Sequence, residues 1–174
     1  MKDIIKPIAV LAGICLVVTA LLAYINMITS PIITKAEEDA AAQARAEVLS
    51  EADDFEKLDA ELPEGVTEAY KATNGAGYVF MLSTKGYGGE IKLICGIKSD
   101  GSIEQTKTLS HMETSGIGSK VVDNESDYRK QYPGKTADDY NTVDAVTGAT
   151  ISSKAYQKAI AAAFEAYDTV KEAK

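Results

Sequence analysis

The residue types best suited to chemistry lie together in Asp144-Ala145-Val146-Thr147-Gly148-Ala149-Thr150, followed by Ile151-Ser152-Ser153. The segment is small and hydroxylated, and it runs into a stretch with helical periodicity. Ser152 or Ser153 is the expected N-cap of that helix. A helix N-terminus offers free N–H groups and positive partial charge, which suits a phosphate. Gly148 and Ala149 would let a ligand approach the main chain closely. A Ser/Thr cluster also serves as an ordinary helix cap, and residue types alone leave both readings open.

Other candidates are more diffuse. His111, Glu113 and Thr114 offer hydrogen-bonding groups in a polar stretch, and Tyr87 lies between glycines, where its ring can pack or cover a planar ligand. Cys95 sits on the apolar side of a strand and is expected in the core. Lys120 reads as a solvated surface cation or a phosphate partner. The chain has 174 residues, 18 Lys+Arg and 26 Asp+Glu, for a net charge of −8. That acidity argues against a nucleic-acid partner, which needs a basic face. One His and two Cys disfavour a His-rich metal site, a Ser-His-Asp triad or a disulfide framework. No metal ligands are expected, no nucleophile–base pair points to hydrolysis, and no G-x-G-x-x-G is present.

The elements that must position these residues begin with a membrane anchor. Ile8 to Ile25 is apolar and uncharged, long enough to cross the hydrocarbon core as a helix. Lys2 and Lys6 precede it, and Glu37, Glu38 and Asp39 follow, so the positive-inside rule puts the N-terminus in the cytoplasm. A cleaved signal peptide is the competing reading. The longer apolar core and the bulky Tyr24–Thr29 stretch favour a retained anchor. Beyond residue 35 the chain carries 15 basic and 25 acidic side chains, a net −10 that keeps it off anionic head groups.

The expected order is an anchor over 1–30, a juxtamembrane helix and linker over 31–60, and an extracytoplasmic domain over 61–174. Thr34 to Ser50 is Ala- and Glu-rich and reads as a helix, capped by Thr34 with Glu37 three residues on, packing lightly or standing off as a stalk. Val66–Lys71, Tyr78–Thr84, Ile91–Lys98 and Ile103–Leu109 read as strands of an antiparallel meander, with a hairpin turn at Ser99-Asp100-Gly101. Ser110 to Tyr140 reads as a long polar loop, a length often tied to function. Tyr156, Ala159, Ile160, Ala163, Phe164, Tyr167 and Val170 form one apolar stripe on a closing helix. The fold class is therefore α+β.

Against this layout the motif at 144–150 resembles the flavinylation motif of the FMN-binding domain family: Asp, two variable residues, Ser or Thr, Gly, Ala, Thr. Asp144, Thr147, Gly148, Ala149 and Thr150 match every fixed position. Gly86-Tyr87-Gly88-Gly89 resembles the family's glycine-rich turn, and Ser99–Ile103 its following hairpin. His111-Met112-Glu113-Thr114-Ser115-Gly116-Ile117-Gly118 resembles its His-x-Glu-Thr-Pro-Gly-Leu-Gly loop, with Ser115 for Pro and Ile117 for Leu.

The resemblance implies FMN as cofactor, joined through its phosphate to Thr150 by a separate flavin transferase that recognises Asp144. It implies a flavin site of Thr147, Gly148, Ala149, Glu113, Thr114, Gly116 and Ile117. The single-anchor layout is most similar to the G subunits of Rnf-type ion-translocating ferredoxin:NAD+ oxidoreductase complexes. The C subunits of sodium-translocating NADH:quinone oxidoreductases are longer relatives. The partners implied are the other membrane subunits of such a complex, and the activity is electron carriage within it. The alternatives are a non-covalent binder of FMN or another phosphate ligand, and an assembly protein in which the Thr/Ser cluster only caps a helix.

Overall fold

The computed structural model describes residues 2–172, with side chains described over 5–171. Met1, Ala173 and Lys174, at the ends of the expected segments, and the side chain of Lys2 lie outside the described residues.

Helix α1 (Lys2–Val48) runs through both the apolar stretch and the segment after it. The separate helix expected to be capped at Thr34 is therefore not formed. Pro31 lies inside α1, where it removes one intrahelical N–H. Thr34 Oγ1 donates instead to the Ser30 carbonyl at 3.1 Å, as Thr29 Oγ1 does to the Ile25 carbonyl at 3.0 Å. Such back-bonding ties up the hydroxyl that a cap would use. The chain divides into two compact units, one ending at Ala40 and the other starting at Ala41. In the first, the apolar side chains from Ile5 to Ile33 are largely exposed, and this is one helix long and apolar enough to cross a membrane.

The second unit is an antiparallel meander with strand order β1-β2-β3-β4-β5. Its strands are β1 (Phe55–Lys57), β2 (Val66–Ala72), β3 (Gly77–Lys85), β4 (Glu90–Lys98) and β5 (Ile103–His111). The four expected strands are present with small extensions. β1, which pairs Phe55 with Ala72, lies in the expected linker, and its three residues are too few to show a period. On one sheet face Phe80, Leu82, Ile91, Leu93, Cys95 and Ile97 pack against α3 (Thr150–Glu172). Every residue of the expected apolar stripe on α3 is buried. The other face packs Ala72, Val79 and Ile94 against Ala44, Val48 and Leu49. The end of α1 is thus part of this unit's core and does not stand off as a stalk.

The stretch from 110 to 140 also departs from expectation. β5 extends to His111, a short helix α2 covers Ser119–Val122, and single 3-10 turns form at Arg129–Gln131 and Tyr140–Thr142. Val121, Val122, Tyr128 and Tyr132 enter the main core. Tyr128 and Tyr132 pack edge-on at 5.6 Å, and Tyr132 lies 5.4 Å from Tyr156 of α3. Burial of these rings holds the segment to the helix, so it is a covering layer rather than a loop in solvent. Asn124 accepts from Thr108 N–H at 2.9 Å and donates to Thr108 carbonyl at 3.1 Å, occupying the free edge of β5.

Candidate functional site

Three sequence segments meet at one carboxylate. Glu113 follows β5 and is buried. Its Oε1 accepts the Gly88 N–H at 3.0 Å, from the turn between β3 and β4. Its Oε2 accepts the Ser152 hydroxyl at 2.7 Å, from the first turn of α3. Both carboxylate oxygens are thus engaged by the protein, which offsets the desolvation penalty a buried acid would otherwise carry. Gly88 is required for its close approach: a Cβ there would lie 2.1 Å from the Met112 carbonyl oxygen. The turn is pressed main chain to main chain against the loop that carries Glu113.

The motif segment leads into α3 through an αL residue. Gly148 has φ +84° with open space around it, a conformation that costs a non-glycine residue about 1–2 kcal/mol. α3 starts at Thr150, so Ala149 holds the N-cap position and neither Ser152 nor Ser153 does. Both serines lie inside the first turn, almost wholly buried. Ser153 Oγ accepts Val146 N–H at 3.0 Å and donates to the Ala149 carbonyl at 3.0 Å, bracing the loop from within. Ser152 reaches Glu113. At about 100° per residue, two residues turn the helix by about 200°. Ser152 therefore points inward while Thr150 is exposed. The N–H groups of the first turn have no intrahelical acceptor and carry the positive end of the helix dipole.

Of the other expected residues, Asp144, Thr147, Thr114, Gly116 and Ile117 are exposed on the two loops, and Ala149 is buried. Glu113 is the one that binds the segments together. Outside α1, the exposed large apolar side chains among the described residues are Tyr87 (72%), Met112 (76%), Ile117 (52%) and Ile151 (57%). All four belong to the segments that Glu113 joins. Met112 and Ile151 carry no signal in the sequence, because Met112 fills a variable position of its motif and Ile151 lies just past the end of its own. Ser152 has the look of a cap, and its pairing with Glu113 spans 39 positions. Lys120 is exposed on α2, and Cys95 is fully buried among β-strand side chains, where desolvation raises its thiol pKa far above the ordinary value.

His111 closes the arrangement. Its Nδ1 accepts the Glu113 main-chain N–H at 3.3 Å, and its Nε2 lies 3.3 Å from Asp123 Oδ1. Taken together, the site offers an exposed hydroxyl at a helix N-terminus, a glycine-relaxed approach, and apolar side chains around a braced carboxylate. Such a surface suits a ligand with an anionic end and a flat apolar body.

Comparison with known proteins agrees with that chemistry. Residues 86–165 match the FMN-binding domain family. The G subunit of the Na+-translocating ferredoxin:NAD+ oxidoreductase complex of Acetobacterium woodii is 30% identical over 197 residues, covering 97% of this chain and 94% of that protein. The G subunit of the ion-translocating oxidoreductase complex of Shewanella piezotolerans is 30% identical over 188 residues, covering 91% and 87%. The G subunit of the proton-translocating ferredoxin:NAD+ oxidoreductase complex of Clostridium ljungdahlii is 29% identical over 167 residues, covering 89% and 86%.

Proposed function

The chain belongs to the family of G subunits of ion-translocating oxidoreductase complexes and carries an FMN-binding domain, and from that premise we propose how it works. It is an electron-transport flavoprotein subunit, and its finer reading is a membrane-anchored carrier with FMN esterified to Thr150. The single observation that carries this reading is the convergence on Glu113 of the glycine turn, the 111–118 loop and the start of α3, which presents Thr150 outward.

The residues fit the group. Thr150 Oγ is exposed at the first position of α3 and would take the phosphate as an ester, with net loss of water. The phosphodiester keeps one negative charge, which the first-turn N–H groups favour. Gly148 and Ala149 hold the approach to Thr150, and Asp144 remains exposed for a flavin transferase to read. Tyr87, Met112, Ile117 and Ile151 supply apolar surface for a ring system, with Thr114 and Gly116 on the same loop. Glu113 fixes the spacing of these walls rather than reacting. FMN, when bound, supplies the electron chemistry, and the protein supplies tether, orientation and exposure. Covalent attachment suits a domain facing an outer compartment into which free cofactor would be lost.

The remaining parts of the reading concern placement. α1 crosses the membrane once with Lys2 and Lys6 on the cytoplasmic side, so the FMN domain is extracytoplasmic. The other membrane subunits of an Rnf-type complex supply the electron donor, the acceptor and the ion path. The test is co-expression with a flavin transferase, followed by denaturing electrophoresis of the wild type and Thr150→Ala. The wild-type band fluoresces and its mass rises by one FMN less one water, whereas the variant is dark. A dark wild type beside an active transferase overturns the covalent reading.

A further inference from the structure

His111 is the chain's one histidine, at the last position of β5. Its contact with Glu113 assigns its tautomer. An Nδ1 that accepts the Glu113 N–H carries no proton, so Nε2 carries it and lies 3.3 Å from Asp123 Oδ1. The run of contacts then goes from Asp123, beside Nε2, through the Nδ1 hydrogen bond to the Glu113 main chain, and the Glu113 side chain carries it on to Gly88 and Ser152. The run ends in the first turn of α3, two residues from Thr150.

We propose that His111 is the positioning residue of the flavin loop, with the Asp123 carboxylate beside Nε2 favouring the tautomer that lets Nδ1 accept. This rests on the FMN reading above. The arrangement tolerates only one protonation state. A proton taken from solvent at Nδ1 turns an acceptor into a donor, so two N–H groups face each other and the Glu113 main chain must turn away. Asp123 stays beside a protonated Nε2 in both states. The charged groups that line the groove with His111 are acidic. Asp123 and Glu125 line the shallow groove that His111 shares with Thr108, Leu109 and Asn124. Glu113 lies on its own loop. From β4 the register partner is Ile91, which is apolar, and Lys92 points to the opposite sheet face. Acidification therefore loosens the loop that carries Met112, Thr114 and Ile117 beside the flavin.

The test uses the full chain in detergent, titrated from about pH 5 to about pH 8. In the flavinylated protein, flavin fluorescence follows a one-proton step, and the Glu113 amide proton resonance follows the same step. His111→Asn places a carbonyl oxygen near the Nδ1 position and does not titrate, so it keeps the high-pH signal throughout. Asp123→Ala releases the tautomer and weakens the Glu113 amide signal even at the upper end of the range. A merely structural His111 would lower the melting temperature in both variants without changing the pH profile. Survival of the step in His111→Asn, or a Glu113 amide that ignores pH in the wild type, overturns the proposal. Should His111→Asn not fold, Asp123→Ala decides by whether the Glu113 amide weakens. Flavin retained on the denatured chain reports separately on Thr150, and the amide signal can be read without flavin, so the two failures are distinguishable.

Discussion

Replacing Ser152 by alanine removes one hydroxyl and isolates the bond that ties α3 to the loop. Ser152 and Glu113 are 1% and 8% exposed, and their bond is 2.7 Å long. A hydrogen bond to a charged group contributes about 1.5–3 kcal/mol, and here its loss leaves a buried carboxylate oxygen without its donor. The Gly88 N–H remains on the other oxygen and limits the damage. We expect a loss of about 2 kcal/mol. For a unit of this size that lowers the melting temperature by roughly 6–8 °C. The assay is thermal unfolding of the full chain in detergent, with Ser153→Ala beside it. Ser153 makes two bonds to neutral main-chain groups, so its removal costs about 1 kcal/mol. In a double-mutant cycle with Glu113→Gln, Ser152→Ala should show coupling of about 1 kcal/mol or more. A Ser152→Ala melting point within about 2 °C of wild type, or no coupling, would refute the view that Glu113 holds the segments together.

Further outcomes follow from other contacts. Gly88→Ala sets a methyl against the Met112 main-chain carbonyl, which no side-chain rotation relieves, and should cost about 1–3 kcal/mol and expose Tyr87 and Met112 to altered proteolysis. Burial raises the pKa values of Tyr128, Tyr132 and Tyr156, so the folded state keeps phenolic protons that the unfolded chain releases from about pH 10. The unfolded state then binds fewer protons, so stability falls as pH rises above about 10. Phenolate absorbance from these three should appear together with unfolding; early, independent titration would contradict the packing. Cys95 is fully buried with a raised thiol pKa, so it should resist thiol reagents in the native state and react on unfolding, while Cys15→Ser removes the competing signal.

Much of the architecture is legible in the sequence because it depends on local periodicity. Ile91, Leu93, Cys95 and Ile97 alternate, and all four are buried on one sheet face. The stripe from Tyr156 to Val170 repeats at helical spacing and is buried throughout. The apolar run from Ile8 to Ile25 is helical and exposed. The glycine turn, the 111–118 loop and the 144–150 motif are also readable, since each has a distinctive local composition.

Their meeting is not readable, because it depends on pairings across the fold. Ser152 looks like a cap in sequence, yet α3 starts earlier and turns its hydroxyl to Glu113. Tyr128 and Tyr132 sit in a polar stretch without a period and are drawn inward by Tyr156. Thr34 looks like a helix start, yet the helix continues past Pro31 and Thr34 bonds backward. His111 becomes a defined tautomer only when Glu113 and Asp123 are brought to its two nitrogens. Residue order alone settles strands β2 to β5, helix α3, the apolar run of α1 and the motif bearing Thr150, because those follow from neighbours within a turn or a pleat. Long-range packing settles which buried polar group satisfies which, since a carboxylate out of water must take donors from wherever the fold brings them.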